Sequence, residues 1–264
     1  MSAMDTAITR PEAPRRGTNP FAHYIVQSLL QTLRDWTFIA FVVAMPTTMY
    51  LFFSGIYGDQ EAAGGVSVAA AMMITMATYG GLGAAMSAGN QIQVERSSGW
   101  FRQLMLTSLT PTQFLIGKIT TAVGVVVPAI GIVYLAGALR GVRLDAQVWA
   151  SSLVLIVVTL LPMVLLGLVL GLWLKPAAAG AATTLTMLAL SMLGGLWFPL
   201  DMMPSTMQFI GKLLPTHWAG QIGLWPVLGG DFPWRGVLVI GIWLLGLLLI
   251  ATLGYRQAVR TSRR

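Results

Sequence analysis

Long apolar stretches alternate with short polar ones along most of the chain, and their lengths predict its elements. A helix needs about 20 predominantly apolar residues to cross the hydrocarbon core of a bilayer. Six segments meet that requirement, at residues 37–57, 66–89, 115–139, 148–174, 177–200 and 237–255. The pattern predicts an all-α integral membrane protein with six transmembrane helices in a single transmembrane domain, residues 20–255.

The two ends of the chain are polar and basic. Residues 1–19 contain two prolines and several arginines and are typical of a disordered tail, and residues 256–264 form a second basic tail. Between the first tail and the first span, residues 20–36 carry apolar side chains at helical spacing with polar ones between them. This pattern predicts an amphipathic helix lying in the membrane interface. A soluble helix packed on another subunit is the alternative.

Composition supports a membrane protein. Hydrophobic residues make up 56% of the chain and charged residues 9%, whereas a soluble domain carries about a quarter charged residues. The net charge of +7 comes mostly from basic residues in loops and tails. There they set the orientation of the protein relative to anionic lipid, so we expect no nucleic-acid partner. The chain has no cysteine, and His23 and His217 have no ligand-spaced partner, so no metal site is predicted.

The basic residues predict the orientation. With six spans both termini lie on one side, and most of the 16 Lys and Arg residues fall on that side. The exceptions are Arg140, Arg143, Lys212 and Arg235. The positive-inside rule therefore predicts that both termini are cytoplasmic.

The spans are nearly free of ionisable groups. Only Lys118 lies within one, near its inner end, where its side chain is expected to snorkel to the interface. Proton-coupled transporters and intramembrane hydrolases place acids and bases inside the membrane, so both classes are disfavoured. The closest approach to a phosphate-binding loop, Gly117-Lys118, lacks the first glycine and the following Ser or Thr. We expect no enzymatic activity, and any energy for transport must come from another chain.

Prolines and glycines mark special positions in the spans. Pro46, Pro128 and Pro162 fall inside spans and are candidate kinks. Gly167-x-x-x-Gly171 is a weak signal for the close approach of two helices.

A polar stretch, ERSSGWFRQLMLTSLTP, joins the second and third spans at residues 95–111. Gly99 breaks the second helix, and Thr110, Pro111 and Gln113 form a capping signal that starts the third. Between them a short cytoplasmic helix carries Trp and Phe. It is either an interfacial loop whose aromatic rings rest among lipid headgroups or a docking foot for a soluble partner.

Two longer passages resemble the membrane subunit of type-2 ABC exporters. GNQIQVERSSGWFRQLMLTSLTPTQFLIGK resembles the region of that family that contains its cytoplasmic coupling helix. GGLWFPLDMMPSTMQFIGKLLPTHW, residues 194–218, resembles the segment after its fifth span, where short outer re-entrant helices follow Gly-Gly and Phe-Pro. Residues 202–214 are indeed apolar but broken by proline and lysine, so they are too interrupted to span. An amphipathic loop on the outer leaflet is the alternative.

The resemblance implies a role for three groups of residues. The coupling contacts to the ATPase subunit are Glu95, Arg96, Gly99, Trp100, Phe101 and Arg102. The substrate pathway is lined by Met72, Met76, Tyr79, Met187 and Met192, for which plain helix packing is an equal alternative. The outer gate contains Phe198, Pro199, Met203 and Leu213.

The resemblance also implies an assembly in the bacterial plasma membrane. Two nucleotide-binding subunits would carry ATP and Mg²⁺, so this chain itself needs no cofactor, and a second permease copy or a homologue would complete the pathway. The function expected is ATP-driven export of an apolar or amphipathic small molecule such as a drug, an antibiotic or a lipid. The alternative is a membrane anchor or sensor that docks a soluble partner and moves nothing.

Overall fold

The structure, a computed structural model, describes residues 26, 29, 30, 34, 39–58, 60, 67–97 and 111–262. At 39, 88–90, 92–97, 111–115, 176–177 and 255–262 it describes the backbone alone. The predicted tail 1–19, most of the predicted interface helix 20–36 and most of the polar stretch 95–111 lie outside the described residues.

Regular structure in the described ranges is helical. A π-helical turn, Ile39–Ala44, leads into nine α-helices in this part of the chain. They are α1 Met45–Tyr57, α2 Val68–Ser97, α3 Pro111–Leu139, α4 Ala146–Thr159, α5 Leu161–Trp173, α6 Pro176–Leu193, α7 Ser205–Leu213, α8 Pro215–Leu228 and α9 Trp234–Ser262. The predicted all-α fold is confirmed.

Five helical segments among the described residues are long and apolar enough to cross a bilayer. They are Ala40–Tyr57, Val68–Ser87, Ile116–Leu139, Ala146–Trp173 and Trp234–Gly254. The fifth predicted span, 177–200, coincides with a shorter apolar helix, Ala178–Leu193, because the chain turns at Gly194. The whole of α6 has 18 residues and extends for about 27 Å, close to the thickness of the hydrocarbon core.

Helix α2 is the central element of the bundle. It packs most extensively against α3 and α5 and also contacts α1, α6 and α8. Within its apolar part 72% of the residues are buried, against 17% in the apolar part of α9. A rigid displacement of α2 would therefore be felt by most of the other helices.

Close helix contacts on α2 depend on glycine. A Cβ atom on Gly167 of α5 would lie 2.6 Å from the carbonyl oxygen of Met86. On α2 itself, a Cβ on Gly81 would lie 2.7 Å from the side chain of Leu160 and 3.2 Å from that of Ile130. Small residues allow such approaches in membrane bundles, where packing rather than hydrophobicity drives association. The expected close approach at Gly167 is thus observed.

The three prolines inside predicted spans have different effects. Pro46 follows the π-helical turn and starts α1, and Pro162 starts α5 after the helix is interrupted at Leu160. Proline lacks an N–H and fits the first turn of a helix, which accounts for both positions. Pro128 lies inside α3, which continues through it.

Lys118 differs from its prediction. Its side chain is fully buried within the protein instead of extending to the interface. An apolar helix with one lysine gives no indication of which face turns inward, so the sequence did not reveal this burial.

The bundle has two ends, which are defined by the junctions between consecutive helices. The upper end contains the junctions α1–α2, α3–α4 and α6–α9, and the lower end contains α2–α3 and α5–α6. Arg140 after α3 lies beside the last turn of α1, with its Nη2 atom 3.5 Å from the Leu51 carbonyl oxygen. At the lower end, the indole Nε1 of Trp173 lies 3.4 Å from the Ile250 carbonyl oxygen on α9.

Candidate functional site

The segment between α6 and α9 folds back into the bundle at the upper end. Helix α8 packs against α4, α2 and α9. A Cβ on Gly223 would lie 2.7 Å from the side chain of Ile156 on α4 and 3.4 Å from that of Ile74 on α2. Ile74 lies six residues inside α2, about 9 Å along its axis, so α8 penetrates well below the end of the bundle.

A sharp turn after α6 directs this segment inward. Gly195 adopts φ = +75°, a conformation that disfavours a side chain. The Leu196 N–H donates to the Ser191 carbonyl oxygen at 3.0 Å, which closes the turn. The turn brings Trp197 against the middle of α2.

Trp197 packs on Tyr79 of α2. Their ring centroids are 5.5 Å apart and the planes are nearly perpendicular, at 86°, a favourable edge-to-face arrangement. The Tyr79 hydroxyl donates to the thioether sulfur of Met45 at 3.6 Å. The cluster of Met45, Tyr79 and Trp197 therefore connects the start of α1, the middle of α2 and the turn after α6.

The first turn of α8 is bonded to the end of α6. The Thr216 hydroxyl is buried and donates to the Leu190 carbonyl oxygen at 2.8 Å, a second hydrogen bond to a carbonyl that also accepts from the Gly194 N–H. Trp218 Nε1 donates to the Lys212 carbonyl at 2.8 Å, and Trp243 Nε1 of α9 donates to that of Leu213 at 3.0 Å. These bonds hold α6, α7, α8 and α9 together at one point.

His217 adds a neutral imidazole to this junction. Burial lowers the pKa of His217 below its usual value of 6.5, and the nearby Lys212 acts in the same direction. A backbone hydrogen bond with Gly194 and the charge of Asp201 oppose the shift. The imidazole is therefore mostly uncharged at neutral pH.

We expect Thr216→Val to destabilise this junction moderately. Valine keeps the shape but loses the bond to Leu190, whose carbonyl retains the bond from the Gly194 N–H. The expected cost is about 1 kcal/mol, seen as a fall of about 2–4 °C in the melting temperature of the detergent-solubilised protein. Thr120→Val is the matched control, because Thr120 bonds within its own exposed helical turn. Equal melting temperatures for the two variants would contradict a stabilising role for the Thr216 bond.

The predicted outer-gate residues all lie in this segment. Phe198 and Pro199 lie in the exposed part of the turn after Trp197, and Leu213 is exposed at the end of α7. Met203 is half-buried, and its carbonyl accepts a hydrogen bond from the side chain of Gln208 at 2.9 Å. Their role as a gate stays a prediction.

The predicted pathway residues fall into two environments. Met76 and Tyr79 are buried on the face of α2 that also carries Met72, which is half-buried. Met187 is half-buried near α2, with its sulfur 3.3 Å from the position of a Cβ on Gly83, whereas Met192 is exposed. The structure brings Tyr79 together with Trp197, which was not among the predicted pathway residues. The signal for Trp197 was its place in the Gly-Gly-Leu-Trp-Phe-Pro passage.

The predicted coupling residues begin where α2 ends. The backbone of Glu95 and Arg96 belongs to the last turns of α2 at the lower end of the bundle. Gly99, Trp100, Phe101 and Arg102 lie outside the described residues. Their role stays a prediction.

Two comparisons with known proteins agree on the family. A family model described as ABC-2 type transporter matches residues 21–228. "Putative transport permease YvfS" of Bacillus subtilis (strain 168) is 27% identical over 233 residues, 86% of this chain and 93% of the relative. The predicted resemblance to type-2 ABC permeases is confirmed. The chain is a multi-pass membrane protein of the ABC-2 type transporter family, a permease of an ABC transporter.

Proposed function

We propose that this permease exports an apolar or amphipathic small molecule, such as a drug, an antibiotic or a lipid. The match of the family model to residues 21–228 carries the transport part of this proposal. The direction of transport and the type of cargo are inferred from the resemblance of the sequence to bacterial exporters and from the near absence of charged residues in the spans. Among Asp, Glu, Lys, Arg and His, only Lys118 lies within a span, which favours uncharged or amphipathic cargo over ions.

The energy would come from partner subunits. ABC-2 permeases generally work with an ATPase and as dimers, and this sequence has no phosphate-binding loop of its own. Two ATPase subunits would bind ATP and Mg²⁺ and dock on residues 95–109 at the lower end, taken to be cytoplasmic. Two permeases, identical or homologous, would form the pathway in the bacterial plasma membrane, with both termini in the cytoplasm.

Helix α2 is suited to carry motion from the ATPase to the upper end. It is continuous for 30 residues, from Val68 to Ser97, so it includes Glu95 and Arg96 of the proposed coupling stretch. Eleven residues into α2, Tyr79 contacts the turn that starts at Gly194. Closure of the ATPase subunits on ATP would move the lower end of α2, and the Tyr79–Trp197 contact would pass that movement to the proposed outer gate. ATP drives the change only through its stronger binding to the closed state.

Direction is tested with membrane vesicles of both orientations. Inside-out vesicles that contain the permease and its ATPase subunit should accumulate fluorescent amphipathic dyes when ATP is added. The control carries an ATPase whose phosphate-loop lysine is replaced. ATP-dependent accumulation only in right-side-out vesicles loaded with ATP would contradict export. A stable complex without ATP-dependent dye movement in either orientation would favour the anchor or sensor function.

A further inference from the structure

The indole N–H of Trp197 is buried and has no hydrogen-bond acceptor in the described part of the protein. Several other tryptophans there have one. The Nε1 atoms of Trp218, Trp225 and Trp243 donate to backbone carbonyls at 2.8–3.0 Å. A buried donor without a partner is costly, and such groups in native proteins often have a functional explanation.

The hydroxyl of the tyrosine that packs on Trp197 is also weakly satisfied. The hydroxyl of Tyr79, whose ring lies edge-to-face with the indole, donates only to the sulfur of Met45 at 3.6 Å. A thioether is a poor acceptor. Two donors thus lie in one aromatic cluster without a good oxygen acceptor.

The surroundings of the two donors are apolar and adaptable. Met45 lies in the cluster itself, and the Met187 sulfur approaches α2 at Gly83, four residues along from Tyr79. Unbranched methionines fill irregular spaces and adapt to varied apolar partners. Aromatic and methionine walls with a few placed polar groups are typical of small-molecule sites.

Trp197 also lies near the surface of the described part of the protein. Its side chain is only partly buried, and the next residue, Phe198, is exposed. Tyr50 gives the contrast, because its whole side chain is enclosed. A bound molecule could therefore approach the indole edge after a small opening of the turn, whereas Tyr50 is sealed between helices.

We propose that Trp197 and Tyr79 are the donor pair of a cargo subsite that binds uncharged amphipathic molecules through an acceptor oxygen. A carbonyl, ester or ether oxygen would accept from the indole N–H, and the apolar remainder would lie against the aromatic and methionine side chains. The inference rests on the proposed transport function and adds the chemical group by which cargo is recognised. It also gives the Tyr79–Trp197 contact a second role, since cargo at this point would alter the junction of α2 with the proposed gate.

The test compares two probes that share a pyrene ring, the methyl ester of pyrenebutyric acid and pentylpyrene. The full chain with its ATPase subunit is reconstituted in lipid nanodiscs, and binding to empty nanodiscs is subtracted. The wild type should bind the ester about tenfold more tightly than the hydrocarbon, because only the ester supplies an acceptor. In Trp197→Phe this preference should disappear, with pentylpyrene affinity within about twofold of the wild type.

Trp225→Phe is the matched control. It also removes one indole N–H, but one that donates to the Gly230 carbonyl, so the ester preference should remain. Trp197→Phe loses no hydrogen bond within the described protein but removes part of a ring that packs on Tyr79, so a small loss of stability is expected. Its melting temperature is measured beside the binding.

Three results would overturn the proposal. The wild type could show no ester preference, as expected if a resident water satisfies the indole. Trp197→Phe could retain the preference, or Trp225→Phe could lose it equally. Failure of the transport function is distinguishable, since it would abolish ATP-dependent dye movement and leave the ester preference measurable.

Discussion

Gly167→Ala is expected to lower the melting temperature of the solubilised permease by about 5–10 °C. The new Cβ atom would lie 2.6 Å from the carbonyl oxygen and 2.9 Å from the Cα of Met86. Both are backbone atoms, so no change of rotamer can relieve the clash. Helices α5 and α2 would have to separate, and the contacts that the central helix makes would loosen with them.

Gly241→Ala is the control for this substitution. Gly241 lies within α9, and no atom lies within 4 Å of the position of its Cβ. Alanine favours a helix over glycine by about 1 kcal/mol, so the melting temperature should stay the same or rise. Equal effects of the two variants would show that the α2–α5 contact yields easily and that Gly167 is no close-approach site.

Trp100→Ala is expected to weaken binding of the ATPase subunit roughly thirtyfold or more, the loss typical of a buried aromatic anchor at an interface. Arg102→Glu should weaken it as well, by reversing a charge on the same proposed foot. Association is measured between the purified ATPase and the permease in nanodiscs, with membrane insertion checked for each variant.

Arg143→Glu is the control for charge reversal. Arg143 is exposed in the α3–α4 connection, at the upper end of the bundle and away from the proposed docking stretch. Its reversal should leave association unchanged. Normal association of Trp100→Ala and Arg102→Glu would contradict docking on residues 95–109 and favour an interfacial loop whose aromatic residues lie among headgroups.

The lengths of the apolar segments predicted the helices well, because a helix needs about 20 apolar residues to cross a bilayer. Prolines marked two helix starts, because proline fits the first turn of a helix. The six predicted segments each coincide with a described helix or helix pair. The capping signal at Thr110 lies at the edge of the described residues and stays a prediction. The fifth predicted span ran too far, to residue 200, since hydropathy continues through Gly194 and Gly195. The turn there depends on the positive φ of Gly195, which apolar composition does not report.

Side-chain partners were much less predictable. An apolar helix has no polar face to indicate which side turns towards the core. The spacing of residues therefore predicted neither the burial of Lys118 nor the contact of Tyr79 with Trp197. The bond from Thr216 to Leu190 joins residues 26 positions apart and depends on how α8 enters the bundle. The family resemblance pointed to the segment after α6 as a whole, and only the packing shows which of its atoms meet.

The most direct test of the account is co-purification of the permease from its native host in mild detergent, with its partners identified and ATPase activity assayed. The account predicts recovery of a nucleotide-binding subunit in equal proportion to the permease, with ATP turnover that is lost in Trp100→Ala. Recovery of the permease without such a subunit and without ATPase activity, under every extraction condition, would contradict it.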